Sequence, residues 1–185
     1  MQIAVYGGSF NPPHRAHGMV LSWLLESGSA DAVWLVPVYR HAFEKTHGKV
    51  LADFQDRVAW CEALARPFGR RVEVSQVESQ LPTPSYTVDT LEHLARTYPE
   101  HRFRLVVGAD ILEQVTGWRR WEHIEERFPP IVVGREGYLS PPNVPVFPAI
   151  SSTRIRRLLS TGGDATGLLT PEVERMLKES HPWAG

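Results

Sequence analysis

The densest group of chemistry-bearing residues lies near the amino end, in Gly7-Gly8-Ser9-Phe10-Asn11-Pro12-Pro13-His14-Arg15-Ala16-His17. Gly7 and Gly8 let the backbone approach a ligand closely or take positive φ, and the two prolines stiffen the exit. A helix that follows directly presents first-turn amides without intrahelical partners, which attracts phosphate. His14 and His17 are three residues apart, so on one helix face both imidazoles can donate to the oxygens of a single anion. An HxxH pair alone reads better as two surface imidazoles; the glycine turn before it reverses that reading toward nucleotide phosphate. Zinc fits poorly, because the sequence has no HExxH and no cysteine cluster.

A second group lies far downstream, in Ile150-Ser151-Ser152-Thr153-Arg154-Ile155-Arg156. It reads as a capped helix closed by Gly162-Gly163, with serine accepting from early amides and a glycine taking the left-handed conformation. By itself such a stretch is a helix with a solvated basic face. Beside the first group, Ser151, Ser152 and Thr153 become hydroxyl and amide donors to phosphate, with Arg156 reaching from the next turn. Asp110 follows Gly108 at the end of an apolar run, where a carboxylate either accepts from a nucleotide's ribose or adenine side or caps the next helix.

The elements that must position these residues alternate. Strand signals fall at 3–6, 32–36, 72–75, 103–107 and 131–133, with a short extra one at 144–147. Helix signals fall at 17–26, 54–65 and 88–97, weakly over 110–127, then over 150–159 and from Thr170-Pro171-Glu172 onward, Thr170 as cap and Pro171 at the first helical position. Alternation of this kind predicts an α/β protein with a Rossmann-like, doubly wound, mostly parallel sheet and helices on both faces, binding ligand at the carboxyl ends of its strands. No linker or repeat divides the 185 residues, so a single domain spanning 1–185 is expected.

Composition bounds the function classes. The hydrophobic fraction of 42% with 22% charged residues excludes disordered and fibrous classes. A net charge of −1 lacks the basic excess of a general nucleic-acid binder and favours a small anionic ligand in a local cationic pocket. Cys61 is the lone cysteine, so no internal disulfide forms. The opening residues carry no signal core, and no apolar run approaches the roughly 18 residues of a spanning helix. A cytoplasmic protein is expected, with neither nucleic acid nor membrane as partner.

The first group resembles the GGSFxPxHxGH signature of the nucleotidyltransferase superfamily, with Ala16 at the usual glycine, and the second resembles its ISSTxIR motif throughout. Between them, Ser85-Tyr86-Thr87-Val88-Asp89-Thr90-Leu91 is similar to the SYTxDTL segment of nicotinate and nicotinamide mononucleotide adenylyltransferases. Val107-Gly108-Ala109-Asp110 with Trp118 resembles their GxD and tryptophan region, and 167–173 their carboxyl-terminal segment. One loop departs: residues 37–45 lack the PPHK form common in nicotinate-preferring members, although Lys45 can fill the same cationic role.

The resemblance implies attack by a mononucleotide phosphate on the α-phosphate of ATP, giving a pyridine dinucleotide and pyrophosphate. It implies catalytic roles for His14, His17 and Arg156, and ATP binding by Gly7, Gly8, Ser9, Phe10, Gly108, Asp110, Ile150, Ser151, Ser152 and Thr153. Acceptor binding falls to Lys45, Tyr86, Thr87 and Trp118; from the residues alone, Trp118 also reads as core filler and Tyr86 and Thr87 as fixing a loop. Trp121 is read as packing. Mg²⁺ is expected to be carried mainly by the ATP phosphates, with no protein metal site. Nicotinate and nicotinamide mononucleotide both stay open as acceptors. Two rival readings are transfer to another phosphorylated acceptor, phosphopantetheine-like or a phosphoalcohol, and a nucleotide-binding module without catalysis. A dinucleotide oxidoreductase or P-loop kinase would need GxGxxG or GxxxxGK[ST], which the sequence lacks.

Overall fold

Successive residues of the first strand, β1 (Gln2–Gly8), serve opposite faces: Ile3 and Val5 enter one apolar layer, Ala4 the other. All three are buried, as a parallel strand covered on both sides must be. The computed structural model describes residues 1–40, 51–112, 114–180 and 182–183. Lys45 therefore lies outside the described residues.

The other strands are β2 (Ala32–Pro37), β3 (Val72–Val74), β4 (Arg102–Gly108), β5 (Ile131–Arg135) and β6 (Val146–Phe147). They form a six-stranded sheet in the order β3-β2-β1-β4-β5-β6, and every pairing is parallel. One face carries α1 (Arg15–Glu26), α2 (Phe54–Ala65), α5 (Ser152–Ser160) and α6 (Pro171–Ser180), whose Leu21, Leu24, Leu64, Ile155 and Val173 pack with Ala4, Val33 and Leu35. The other carries α3 (Thr87–Thr97) and α4 (Trp121–Arg127), whose Leu91, Leu94 and Ile124 pack with Ile3, Val5 and Val36. This is the Rossmann-like, doubly wound arrangement expected from the alternation of strand and helix signals. The chain winds outward from β1 to β3, then restarts at β4 and winds outward the other way. The strand order thus reverses between β1 and β4, which opens a crevice at their carboxyl ends.

Three expectations about local structure are corrected. The weak helix signal over 110–127 resolves into turns, a 3-10 turn at Val115–Gly117 and only then α4. Gly117 weakens a helix there, and Arg120 takes φ 55° immediately before α4, which a continuous helix forbids. The extra strand expected over 144–147 shrinks to two residues, because Pro145 has no N–H to give a ladder and only its carbonyl serves, accepting from Gly134 N at 2.9 Å. Thr170 Oγ1 is buried without a hydrogen-bond partner among the described residues, so the expected side-chain cap on α6 is not made there, although Pro171 does open that helix. The left-handed closure of α5 forms as expected: Gly162 has φ 69° and Gly163 N donates to Leu158 O at 2.8 Å.

Candidate active site

β1 runs out at Gly7 and Gly8, beside Val36 and Pro37 of β2. A Cβ on Gly7 would meet nothing within 4 Å, so the strand end offers bare backbone to the cavity it lines. Positive φ falls on neither glycine. Phe10 takes it instead, at φ 43°, a conformation that costs a side-chain-bearing residue about 1–2 kcal/mol. Its buried ring sits edge-on to Tyr6 and His17, with centroids 5.6 and 5.1 Å away, and these contacts offset the strain.

His14 is the N-cap of α1, which starts at Arg15, two residues before the helix signal. The His14 amide donates to Nδ1 of His17 at 3.0 Å, and the two rings stack 3.7 Å apart with 18° between their planes. Since Nδ1 of His17 accepts, its single proton sits on Nε2. Burial, then the charge of Arg135, lowers His14 to about 4. Burial, then His14 and Arg135, hold His17 well below the usual histidine range. Both imidazoles are therefore neutral at pH 7. Nδ1 of His14 is buried without a hydrogen-bond partner among the described residues, and the His14 residue lines the same crevice.

Two tethers draw the downstream motif onto this turn. Ser152 Oγ donates to Pro12 O at 2.9 Å, and Arg156 Nη1 donates to Asn11 O at 2.8 Å. Ser151 caps α5 by accepting from Arg154 N at 3.3 Å, and Arg156 Nη2 donates to Thr153 Oγ1 at 3.3 Å. The amides of Ser152 and Thr153 belong to the first turn, which has no intrahelical carbonyls to meet. The Ser152 hydroxyl proton is committed to Pro12, so what Ser152 can still donate to an anion is its amide.

Gly108 closes β4, and a Cβ there would collide with Oδ1 of Asp110; glycine is what lets that carboxylate fold back against the strand end. Gly108 itself does not line the cavity, whereas Asp110 does. Asp110 is ion-paired with Arg135, the last residue of β5, and Arg135 also donates to Ile150 O at 3.4 Å. The ends of β4 and β5 and the second motif thereby meet at one guanidinium.

The acceptor-side candidates stand on α3 and the turn before α4. Tyr86 is the N-cap of α3 and Thr87 its first residue, while half-buried Trp118 follows the 3-10 turn with its ring edge-on to Trp121 at 6.1 Å. The Arg119 guanidinium lies 4.9 Å from the Tyr86 ring centroid and pairs with Asp89 at 3.2 Å. Behind them Glu78, only 8% exposed, accepts from Tyr39 N at 3.0 Å and from Thr90 Oγ1 at 3.3 Å. Burial pushes its carboxyl up, opposed by bonds from the Tyr39 amide and the Ser85 and Thr90 hydroxyls and by the Arg57 charge.

One cavity of about 740 Å³ is lined by Gly7 through Asn11, His14, His17, Asp110, Ile150 through Thr153 and Arg156, and also by Tyr86, Thr87 and Trp118. The sequence reading gave no role to six of its polar residues: Asn11, Glu78, Ser85, Thr90, Arg119 and Arg135. Arg135 had a readable signal, a cation ending a strand beside the expected switch point. Glu78, in the short 3-10 turn Val77–Gln80, had none. Among the described residues no three His, Cys, Asp or Glu side chains gather to hold a metal, and no helix is long and apolar enough to cross a membrane.

Sheet order and crevice define a class, that of Rossmann-like α/β proteins with a nucleotide-sized cavity at the switch point. The Cytidylyltransferase-like family profile matches residues 5–158. The whole chain is 45% identical, over 187 residues, to a probable nicotinate-nucleotide adenylyltransferase of Anaeromyxobacter sp. (strain K), 97% of which it covers. It is 37% identical over 163 residues to the protein of that name in Myxococcus xanthus, with 88% of this chain and 84% of the relative covered. The chain belongs to the nicotinate-nucleotide adenylyltransferases of the Cytidylyltransferase-like family. Among solved structures it is similar to a putative nicotinate-nucleotide adenylyltransferase from Vibrio parahaemolyticus, with TM-score 0.73 at 25% identity, covering 98% of this chain and 94% of that one. It shares its fold with the Plasmodium falciparum nicotinic acid mononucleotide adenylyltransferase complexed with NaAD, with TM-score 0.82 at 19% identity, covering 98% and 97% of the two chains.

Proposed function

We propose that this chain joins a pyridine mononucleotide to ATP. A phosphate oxygen of the mononucleotide attacks the α-phosphorus of ATP in line, the bond to the β-phosphate bridging oxygen breaks, and the dinucleotide and pyrophosphate leave. Nicotinate mononucleotide is the favoured acceptor, as in the names of the relatives, and nicotinamide mononucleotide the competitor. No covalent intermediate on the protein is needed; alignment of two anions and compensation of charge growing on the pyrophosphate oxygens supply the acceleration.

The observation that carries this reading is the pair of tethers from α5 to the Asn11-Pro12 carbonyls, which gathers two neutral imidazoles, a helix start and Arg156 around one crevice. In this reading Nε2–H of His17 and an N–H of His14 donate to triphosphate oxygens, the Ser152 and Thr153 amides receive the outer phosphates, and Arg156 meets charge developing on the leaving group. Gly7 and Gly8 admit the phosphates close to backbone, and Asp110, steadied by Arg135, faces the nucleoside. Tyr86, Thr87 and Trp118 form the acceptor wall, where an indole face suits a cationic pyridine ring. Mg²⁺ enters as part of the ATP substrate, its charge shared among phosphate oxygens. ATP as donor suits a cytoplasmic enzyme.

Pyrophosphate release from ATP with each mononucleotide tests the reading. Turnover is expected, faster with nicotinate mononucleotide, and His17→Ala is expected to lower kcat by roughly 10²–10³-fold while the protein stays folded. Absence of turnover with both mononucleotides, in protein that binds ATP, overturns it.

A further inference from the structure

The mechanism above leaves one buried carboxylate without a task. Glu78 lines the cavity, yet both its oxygens are turned to the protein: Oε2 accepts from Tyr39 N at 3.0 Å and Oε1 from Thr90 Oγ1 at 3.3 Å, and the Ser85 hydroxyl also bonds to it. Ser85 in turn closes on Arg40, its amide donating to Arg40 O at 2.9 Å and its Oγ accepting from Arg40 N at 3.4 Å. The charge opposite Glu78 is Arg57, 1% exposed, whose Nη1 donates to Ser9 O at 3.0 Å and Val38 O at 2.8 Å and whose Nε donates to Ala52 O at 3.1 Å.

Three segments thus meet around these two residues: the turn after β1, the stretch after β2, and the residues that open α3. Backbone hydrogen bonds join neighbouring segments, with Val38 N donating to Gly8 O and Ser85 N to Arg40 O, both at 2.9 Å, and side chains add further ties. An ionised carboxylate in such a place costs several kcal/mol of desolvation unless paired and bonded, and an apolar residue of similar size would pack at no such cost. In some proteins such a buried charge serves to hold a unique geometry.

We propose that Glu78 is a positioning residue for the acceptor wall: by bonding Tyr39, Ser85 and Thr90 together it sets Tyr86 and Thr87 at the mouth of α3, so acceptor binding depends on it and ATP binding does not. The inference rests on the pyridine mononucleotide reading above. The phosphate turn keeps its own supports, Arg57 on Ser9 and the α5 tethers on Asn11 and Pro12, none of which passes through Glu78.

The test compares Glu78→Ala, Glu78→Gln and Thr90→Val with the parent chain. It measures the KM for nicotinate mononucleotide, the mononucleotide Kd from quenching of tryptophan fluorescence, and the ATP Kd by calorimetry. Glu78→Ala removes bonds to a charged acceptor and is expected to raise the acceptor KM and Kd by about tenfold or more, with the ATP Kd within about twofold of the parent. Glu78→Gln keeps an oxygen for Tyr39 N and is expected to recover most of that loss, and Thr90→Val to shift acceptor binding the same way by less. Should Glu78→Ala fail to fold, the other two variants carry the test. Acceptor binding unchanged in the folded variants, or acceptor and ATP binding weakened in parallel, overturns the proposal and leaves Glu78 a merely structural brace. Failure of the underlying reading looks different, since the parent chain itself would neither turn over nor bind the mononucleotide, and the proposal falls with it.

Discussion

An imidazole buried beside a guanidinium is held neutral, and His14 is such a case: 6% exposed, stacked on His17, and lowered to about 4 by burial and by Arg135. A neutral ring still carries one N–H, enough for the phosphate contact proposed above. Neutrality also makes acid costly to the fold. Between pH 6.5, the ordinary value, and about 4, the unfolded chain binds a proton at this position that the folded chain does not, so stability falls as pH falls through that window. At 1.36 kcal/mol per unit the full window is worth about 3 kcal/mol from His14. His14→Asn, which keeps a good N-cap without a titrating ring, is expected to lose that much less between pH 7 and pH 4 in urea unfolding. Equal acid losses in the two proteins would remove the burial argument for a neutral His14.

α5 shows how little holds a functional element in position. Among its residues Ile155 alone is buried, half-buried Leu159 packs against the core beside it, and the Ser151 cap and the tethers from Ser152 and Arg156 add to the attachment. Ile155→Ala is expected to destabilise the protein by about 2–5 kcal/mol, and Ser151→Ala by about 1 kcal/mol. Loss of the cap is also expected to weaken ATP binding, since the first turn frays where phosphates would dock; calorimetric titration with ATP checks this, and a stability loss with the ATP Kd intact would separate the cap from the site. This helix was legible because its signals are local: a serine before it, an apolar residue within it and glycines after it. So were the strands, each a short β-branched run. The interval 110–127 was not, because Arg120 adopts φ 55° without being glycine, and an apolar periodicity carries no sign of that turn. Phe10 misled in the same way, taking the positive φ that two adjacent glycines invited. Glu78 was hidden for a different reason. Its worth comes from three segments that meet only in the folded chain.

At the scale of the molecule, the crevice exists because the winding reverses at β1 and because the chain returns, 145 residues after Asn11, to set Arg156 on that residue's carbonyl. The two motifs were readable as residues; the tethers between them were not, since a backbone carbonyl leaves no trace in the spelling of a sequence. A second return reinforces the first, with Arg15 N donating to Leu168 O at 2.9 Å and Arg15 Nε to Leu169 O at 2.7 Å, so the start of α1 is gripped from the carboxyl-terminal side as well. If imidazole and guanidinium serve one polyphosphate, their losses cannot be independent. His17→Ala and Arg156→Met are each expected to lower kcat by roughly 10²–10³-fold. Independent contributions would multiply, to about 10⁵-fold, as they do for distant sites that share no partner. Groups that act as a unit on one transition state behave otherwise: once either is gone the remaining one is misaligned with the charge it should meet, and the second removal costs little. The double variant is therefore expected to fall within about tenfold of the slower single variant, measured as kcat for pyrophosphate release at saturating ATP and mononucleotide. A fully multiplicative loss would mean that the ends of the chain converge in space without sharing a task.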